Sequence, residues 1–83
     1  IKSEVRKMYN CVGIEHRQYV NKQGRNVSGY NLYFTHEKKN VDGLACFQEW
    51  GSDDVVRDSG LAVGDDVEIL YNRYGKVESI RIL

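Results

Sequence analysis

The chain has 83 residues, with twelve basic and twelve acidic side chains that cancel to a formal net charge of zero. A chain of this length buries a single core, so we expect residues 1–83 to form one domain. Its apolar runs are too short for a membrane-spanning helix or a secretory signal, which predicts a soluble, cytoplasmic protein without a membrane partner.

The charge is divided unevenly along the chain. Residues 1–39 contain eight basic and three acidic side chains, a net charge of +5, whereas residues 40–83 contain four basic and nine acidic ones, a net charge of −5. Local field rather than net charge decides which surface attracts a polyanion, so the amino-terminal half is the candidate for binding nucleic acid. The neutral total argues against this function, because such domains are usually basic.

The first predicted strand extends from Val5 to Arg17. Its alternation places three apolar residues on one face: Met8, Val12 and Ile14. Gly13 interrupts the pattern and predicts a bulge or bend, which lets one strand pair at both ends of a small barrel.

A long ribbon is predicted between the first and second strands. Residues 21–26 have the composition of a hairpin tip, in which Gly24 is free to adopt a positive φ. The second strand, from Tyr30 to Thr35, places alternate residues on opposite faces. The inward set is Tyr30, Leu32 and Phe34, and the outward set is Asn31, Tyr33 and Thr35.

The third predicted strand extends from Leu44 to Trp50 and ends at the Gly-Ser-Asp stretch 51–53. Asp53 is the predicted amino-terminal cap of a short helix, and Gly60 its carboxy-terminal cap. Two further strands, 67–71 and 77–83, follow, and the last changes its apolar phase, as a bulge produces. The sequence predicts an all-β, five-stranded, OB-like Greek-key barrel with a helical element between the third and fourth strands.

Two stretches carry a resemblance to a known family. Residues 21–30 are similar to a basic, glycine-containing DNA-binding wing followed by an aromatic strand, and residues 63–77 look like the last two strands of OB modules. The chain resembles OB-fold single-stranded-DNA-binding proteins, most specifically the small helix-destabilising, gene V-like proteins of phages and mobile elements. This resemblance implies that the protein binds single-stranded DNA independently of sequence during DNA replication. The acidic carboxy-terminal half departs from the pattern.

Single-strand binders combine a positive groove with aromatic rings on which bases stack, each stack contributing roughly 1–3 kcal/mol. The candidate binding residues are Arg17, Tyr19, Lys22, Arg25, Tyr30, Tyr33, Lys38 and Lys39. Tyr33 is the most informative, because its neighbours Leu32 and Phe34 are predicted core residues. The alternative interpretation is that exposed tyrosines stiffen the strands and lysines keep the hairpin soluble.

Phe47 and Trp50 are further candidates for stacking. Phe47 alternates with Ala45, which favours the core instead. Trp50, at the end of the third strand, also suits a rim or dimer contact, because indole combines a large apolar face with one donor.

Other chemistry has little support in the sequence. Two cysteines are too few for a disulfide scaffold, and we expect both thiols to be reduced and to fill small apolar spaces. The four residues that could hold zinc lack the paired spacing of known sites: Cys11, His16, His36 and Cys46. The acidic pairs 53–54 and 65–66 fit turns, and no nucleophile accompanies them, so neither an enzyme nor a cofactor is predicted.

Two hypotheses remain. The first is non-catalytic binding of single-stranded DNA, with RNA as a close variant and a homodimer as one arrangement. The second is a protein-interaction module that offers an edge strand or an apolar patch.

Overall fold

The structure, a computed structural model, describes residues 8–83. They form a five-stranded, mostly antiparallel sheet and one short helix, which confirms the predicted all-β class and the helical element. In chain order the elements are β1 (Tyr9–Val20), β2 (Asn26–His36), β3 (Ala45–Ser52), α1 (Asp53–Ser59), β4 (Asp66–Tyr71) and β5 (Val77–Ile82).

The order of strands across the sheet is β3-β2-β1-β4-β5. β1 pairs with β2 from Asn10 to Val20 and with β4 at only two positions, so one bent strand joins two parts of the sheet. Among residues 8–83, β3 and β5 are not hydrogen-bonded to each other, and the sheet is therefore open. It nevertheless curls, since β3 and β5 contact each other without pairing, and Glu49 of β3 lies near enough to Tyr71 of β4 to raise the pKa of that tyrosine.

The bulge predicted at Gly13 is present, as a shift of register between Cys11 and Gly13. It adds Val12 to β1, and Val12 is consequently exposed while Cys11 is fully buried. The prediction that Met8, Val12 and Ile14 share one face is therefore wrong, because the extra residue reverses the alternation. The predicted start of the strand at Val5 lies outside the described residues.

The core lies between the curled sheet and α1. Leu32 and Phe34 are fully buried, as the alternation of β2 predicts. The buried residues are Cys11, Leu32, Phe34, Val56, Val67 and Ile80. Cys46 is exposed, so the expectation that both thiols fill apolar spaces is correct only for Cys11.

The caps of α1 follow from its flanking residues. The hydroxyl of Ser52 accepts a hydrogen bond from the amide of Val55 at 3.3 Å, so the amino-terminal cap is Ser52 and not Asp53. Gly60 ends the helix with φ of 70°, as predicted. β5 contains the expected bulge, since consecutive pairs of the β4–β5 ladder skip Glu78.

Candidate nucleic-acid interface

One face of the β1–β2–β3 sheet is directed away from the core. Because Leu32 and Phe34 are buried, the alternate residues of β2 point outward, and the pairing carries this alternation to β1 and β3. We call this surface the outer face. Its residues are Gly13, Glu15, Arg17, Tyr19, Gly29, Asn31, Tyr33, Gln48 and Trp50.

Two aromatic rings of the outer face lie over glycines of the neighbouring strand. A Cβ atom at Gly29 would be 2.3 Å from Cζ2 of Trp50, so the indole occupies the space that a side chain there would need. A Cβ at Gly13 would be 3.1 Å from the ring of Tyr33. Each ring is covered by backbone on one side, while 37% of Tyr33 and 37% of Trp50 stay exposed.

Tyr19 extends this aromatic surface towards the tip of the ribbon. Its ring centroid is 6.2 Å from that of Trp50 at an interplanar angle of 70°, and 48% of the residue is exposed. Three of the predicted stacking residues are thus on one face: Tyr19, Tyr33 and Trp50.

A chain of hydrogen bonds crosses the outer face between these rings. The amide of Asn31 donates to Oε1 of Glu15 at 3.0 Å, and the hydroxyl of Tyr33 donates to the same oxygen at 3.4 Å. The amide of Gln48 in turn donates to Oδ1 of Asn31 at 2.9 Å. A carboxylate that the sequence analysis did not single out therefore lies at the centre of the face.

The candidate cations fall into separate groups. Arg17 lies on the outer face, Lys22 and Arg25 lie at the ribbon tip, and Lys38 and Lys39 lie on the loop that follows β2. β2 has 11 residues, so at about 3.3 Å per residue its two ends are roughly 33 Å apart. The rings of Tyr19, Tyr33 and Trp50 therefore lie between two groups of cations, and the cations do not form one continuous basic surface.

Four charged residues of the amino-terminal half lie outside the described residues: Lys2, Glu4, Arg6 and Lys7.

Two of the candidate aromatic residues are on the opposite face. Phe47 stacks on buried Phe34 with centroids 5.4 Å apart, and Tyr30 packs against the core with its ring 4.9 Å from that of His16. Neither ring shares a surface with Tyr33. The alternation of β3 favours the core for Phe47 already at the sequence level, and the same holds for Tyr30 in β2.

The two β-hairpin tips, residues 21–25 and 72–76, share one construction. Oδ1 of Asn21 accepts from the amides of Gln23 and Arg25, and Oδ1 of Asn72 accepts from those of Tyr74 and Lys76. The fourth residue of each tip is a glycine, with φ of 77° at position 24 and 76° at position 75.

The second tip was missed as a binding candidate. It places Arg73 5.1 Å from the ring centroid of Tyr74, which is 71% exposed, and Lys76 follows. The repeated pattern of Asn, cation, any residue, Gly and cation was a signal available in the sequence.

Comparison of the chain with protein-family models, with curated proteins and with solved structures finds no match. Within residues 8–83, no three acidic, histidine or cysteine side chains gather as metal ligands would, and no helix has the length and apolar character needed to cross a bilayer.

Proposed function

We propose that this protein binds single-stranded nucleic acid, preferentially DNA, without catalysing a reaction. The bases stack on Tyr19, Tyr33 and Trp50 of the outer face, and the phosphates contact the cations at the two ends of the ribbon. The observation that supports this most is the position of Trp50 and Tyr33 over Gly29 and Gly13, because rings fixed against backbone on one side offer the other side to a base.

The strand arrangement supports an OB-type barrel as the scaffold. A long β1 shared by β2 and β4, with a helix between β3 and β4, is the arrangement expected if the chain forms a partly open, five-stranded Greek-key barrel. In such barrels the surface of the second and third strands binds oligonucleotides. The outer face includes this surface.

The charge distribution suits a strand whose bases face the sheet. Glu15 at the centre of the outer face repels phosphate, whereas Arg17 and the ribbon tip attract it. We infer that the phosphates follow the periphery of the face while the bases cover its centre. A surface of this kind needs no excess of positive charge over the whole chain.

The resemblance of residues 21–30 to a DNA-binding wing supports a role in coating single strands during the replication of a phage or mobile element, in the cytoplasm. A homodimer would offer two outer faces to one strand and so lengthen the binding site.

Trp50 is the only tryptophan, so its fluorescence tests the proposal directly. Titration with oligo-dT at low salt is expected to quench the emission, because a stacked base covers the exposed side of the indole. Competition with oligo-U compares DNA with RNA, and a duplex of the same length is the control. Unchanged emission at low salt, together with no binding by anisotropy of a labelled oligonucleotide, would rule the proposal out.

The alternative, a protein-interaction module, has one observation in its favour. A cleft between the start of β1 and the β2–β3 loop is lined by apolar side chains, including Met8, Leu44 and Phe47. That function predicts that Lys22→Glu combined with Arg25→Glu leaves activity intact, whereas nucleic-acid binding predicts that this double variant weakens it.

A further inference from the structure

The carboxylate of Glu15 determines the orientation of two amide side chains on the outer face. A carboxylate only accepts hydrogen bonds, so Asn31 must direct its nitrogen towards Glu15 at 3.0 Å. The carbonyl of Asn31 is then left to accept from Gln48 at 2.9 Å. The polar centre of the face is therefore a fixed arrangement of donors and acceptors, which is what recognition of a base edge requires.

One oxygen of this carboxylate is left for a ligand. Oε1 of Glu15 accepts from both Asn31 and Tyr33, which uses the two lone pairs of that oxygen. In the described part of the chain no donor contacts Oε2, and Glu15 is exposed. Among residues 8–83, Oε2 is thus an acceptor with no protein donor, held in a set position by the bonds to its partner oxygen.

This acceptor lies beside two stacking surfaces. The hydroxyl of Tyr33 contacts Glu15 itself, and Trp50 is in the same row of the sheet, since Glu15 pairs with Asn31 and Asn31 pairs with Trp50. A base stacked on Tyr33 consequently lies next to the carboxylate of Glu15.

We infer that Glu15 gives the protein a preference for bases that carry an exocyclic amino group, cytosine above all, over thymine and uracil. This inference rests on the proposed single-strand binding and adds a base preference to it. The amino group at C4 of cytosine donates to a carboxylate. Thymine and uracil have a carbonyl oxygen at that position, which the carboxylate repels. Every base can stack on the rings, so binding tolerates all sequences. The contact with Glu15 changes only the affinity for each base.

The test compares oligo-dC with oligo-dT, each of about twelve nucleotides, within the site size of one such barrel. Fluorescence anisotropy at near-neutral pH and one salt concentration gives both dissociation constants. The quantity measured is the ratio of the Kd for oligo-dT to the Kd for oligo-dC. Glu15→Gln is expected to lower this ratio about fivefold, the lower limit for loss of one specific base contact.

The matched control is Glu78→Gln, which removes the same charge from an exposed position on β5. It is expected to leave the ratio unchanged. Glu15→Asp keeps the charge but withdraws the acceptor from the rings, and it is expected to lower the ratio as Glu15→Gln does. Circular dichroism checks that each variant is folded.

The outcomes separate the two proposals. If neither oligonucleotide binds the unmodified protein, single-strand binding itself fails. If both bind and Glu15→Gln tightens them equally, Glu15 acts only through its charge and the base preference is refuted. An unchanged ratio in both Glu15 variants refutes it as well.

Discussion

The indole of Trp50 occupies the space above Gly29, where a Cβ atom would be 2.3 Å from Cζ2 of the ring and 2.8 Å from the carbonyl oxygen of Gly51. An aromatic side chain of β3 and a residue without a side chain in β2 thus form one structural unit. The glycine lets the ring lie against the backbone, and the ring covers backbone that the glycine leaves open. The availability of Trp50 as a stacking surface depends on Gly29 as much as on Trp50.

Gly29→Ala is expected to displace the indole from the sheet, because neither the ring nor the backbone of Gly51 leaves room for a methyl group. We expect a red-shifted tryptophan emission and an affinity for oligo-dT lower by about 1–3 kcal/mol, the contribution of one stack. Gly13→Ala, where the nearest ring atom is 3.1 Å away, should have a smaller effect. If Gly29→Ala left both the emission and the affinity unchanged, the contact between Trp50 and Gly29 would not contribute to binding.

Trp50→Ala and Phe47→Ala should separate binding from stability. Phe47 stacks on the buried ring of Phe34, so its truncation is expected to cost about 3 kcal/mol of unfolding free energy. Trp50 lies on the outer face, and its truncation should mainly weaken oligonucleotide binding. Urea unfolding followed by circular dichroism measures the first effect and anisotropy the second. The reverse pattern would mean that Phe47 belongs to the binding surface.

The ribbon tip should contribute to the salt dependence of binding. If Lys22 and Arg25 each neutralise one phosphate, their replacement by alanine makes the negative slope of log K against log salt shallower by about 1.4, at roughly 0.7 per phosphate on a single strand. Arg81→Ala on β5 is the control, with an unchanged slope expected. Equal slopes for the double variant and the unmodified protein would place the phosphates elsewhere.

The two thiols should differ in reactivity. Cys46 is exposed, whereas Cys11 is fully buried and its thiol donates to the carbonyl of Gly13 at 3.7 Å. Burial also raises the pKa of Cys11, which lowers its thiolate fraction. A colorimetric thiol reagent should label one thiol per chain rapidly in native buffer and the second only in denaturant. Rapid labelling of both would contradict the burial of Cys11.

The environment of Tyr71 should be visible at alkaline pH. Burial, followed by the nearby charges of Glu49 and Tyr9, raises the pKa of Tyr71 to about 12 from 10.0. The folded state therefore retains this proton where the unfolded state loses it, and stability should fall as the pH rises from 10 towards 12. Absorbance of tyrosinate should show a late-titrating group that Tyr71→Phe removes. Persistence of that group in the variant would show that the late-titrating tyrosine is not Tyr71.

The sequence predicted the features that depend on neighbouring residues. Gly24 and the polar residues around it indicate the hairpin tip, and the alternation around Leu32 indicates which residues of β2 face outward. The bulge at Gly13 was also predicted, but its effect on the alternation was not, because a single sequence does not say which residue is the extra one. Val12 was grouped with Ile14 on one face for this reason.

The candidate site was predicted only in part, because it depends on contacts between distant segments. Tyr19, Tyr33 and Arg17 were expected on the binding surface and share the outer face. The position of Trp50 over Gly29 requires the register between β2 and β3, which side-chain periodicity does not supply. The role of Glu15 likewise depends on its pairing with Asn31 across the β1–β2 ladder.

The central claim is that bases cover the outer face of the sheet. Amide and indole N–H chemical shifts of isotope-labelled protein, recorded as oligo-dT is added, test it most directly. The account predicts large shifts for the indole of Trp50 and for the amides of Arg17, Asn31 and Tyr33, and small shifts for Ser79 and Arg81 on β5. Shifts concentrated on β5 and α1, with the indole of Trp50 unmoved at saturation, would contradict it.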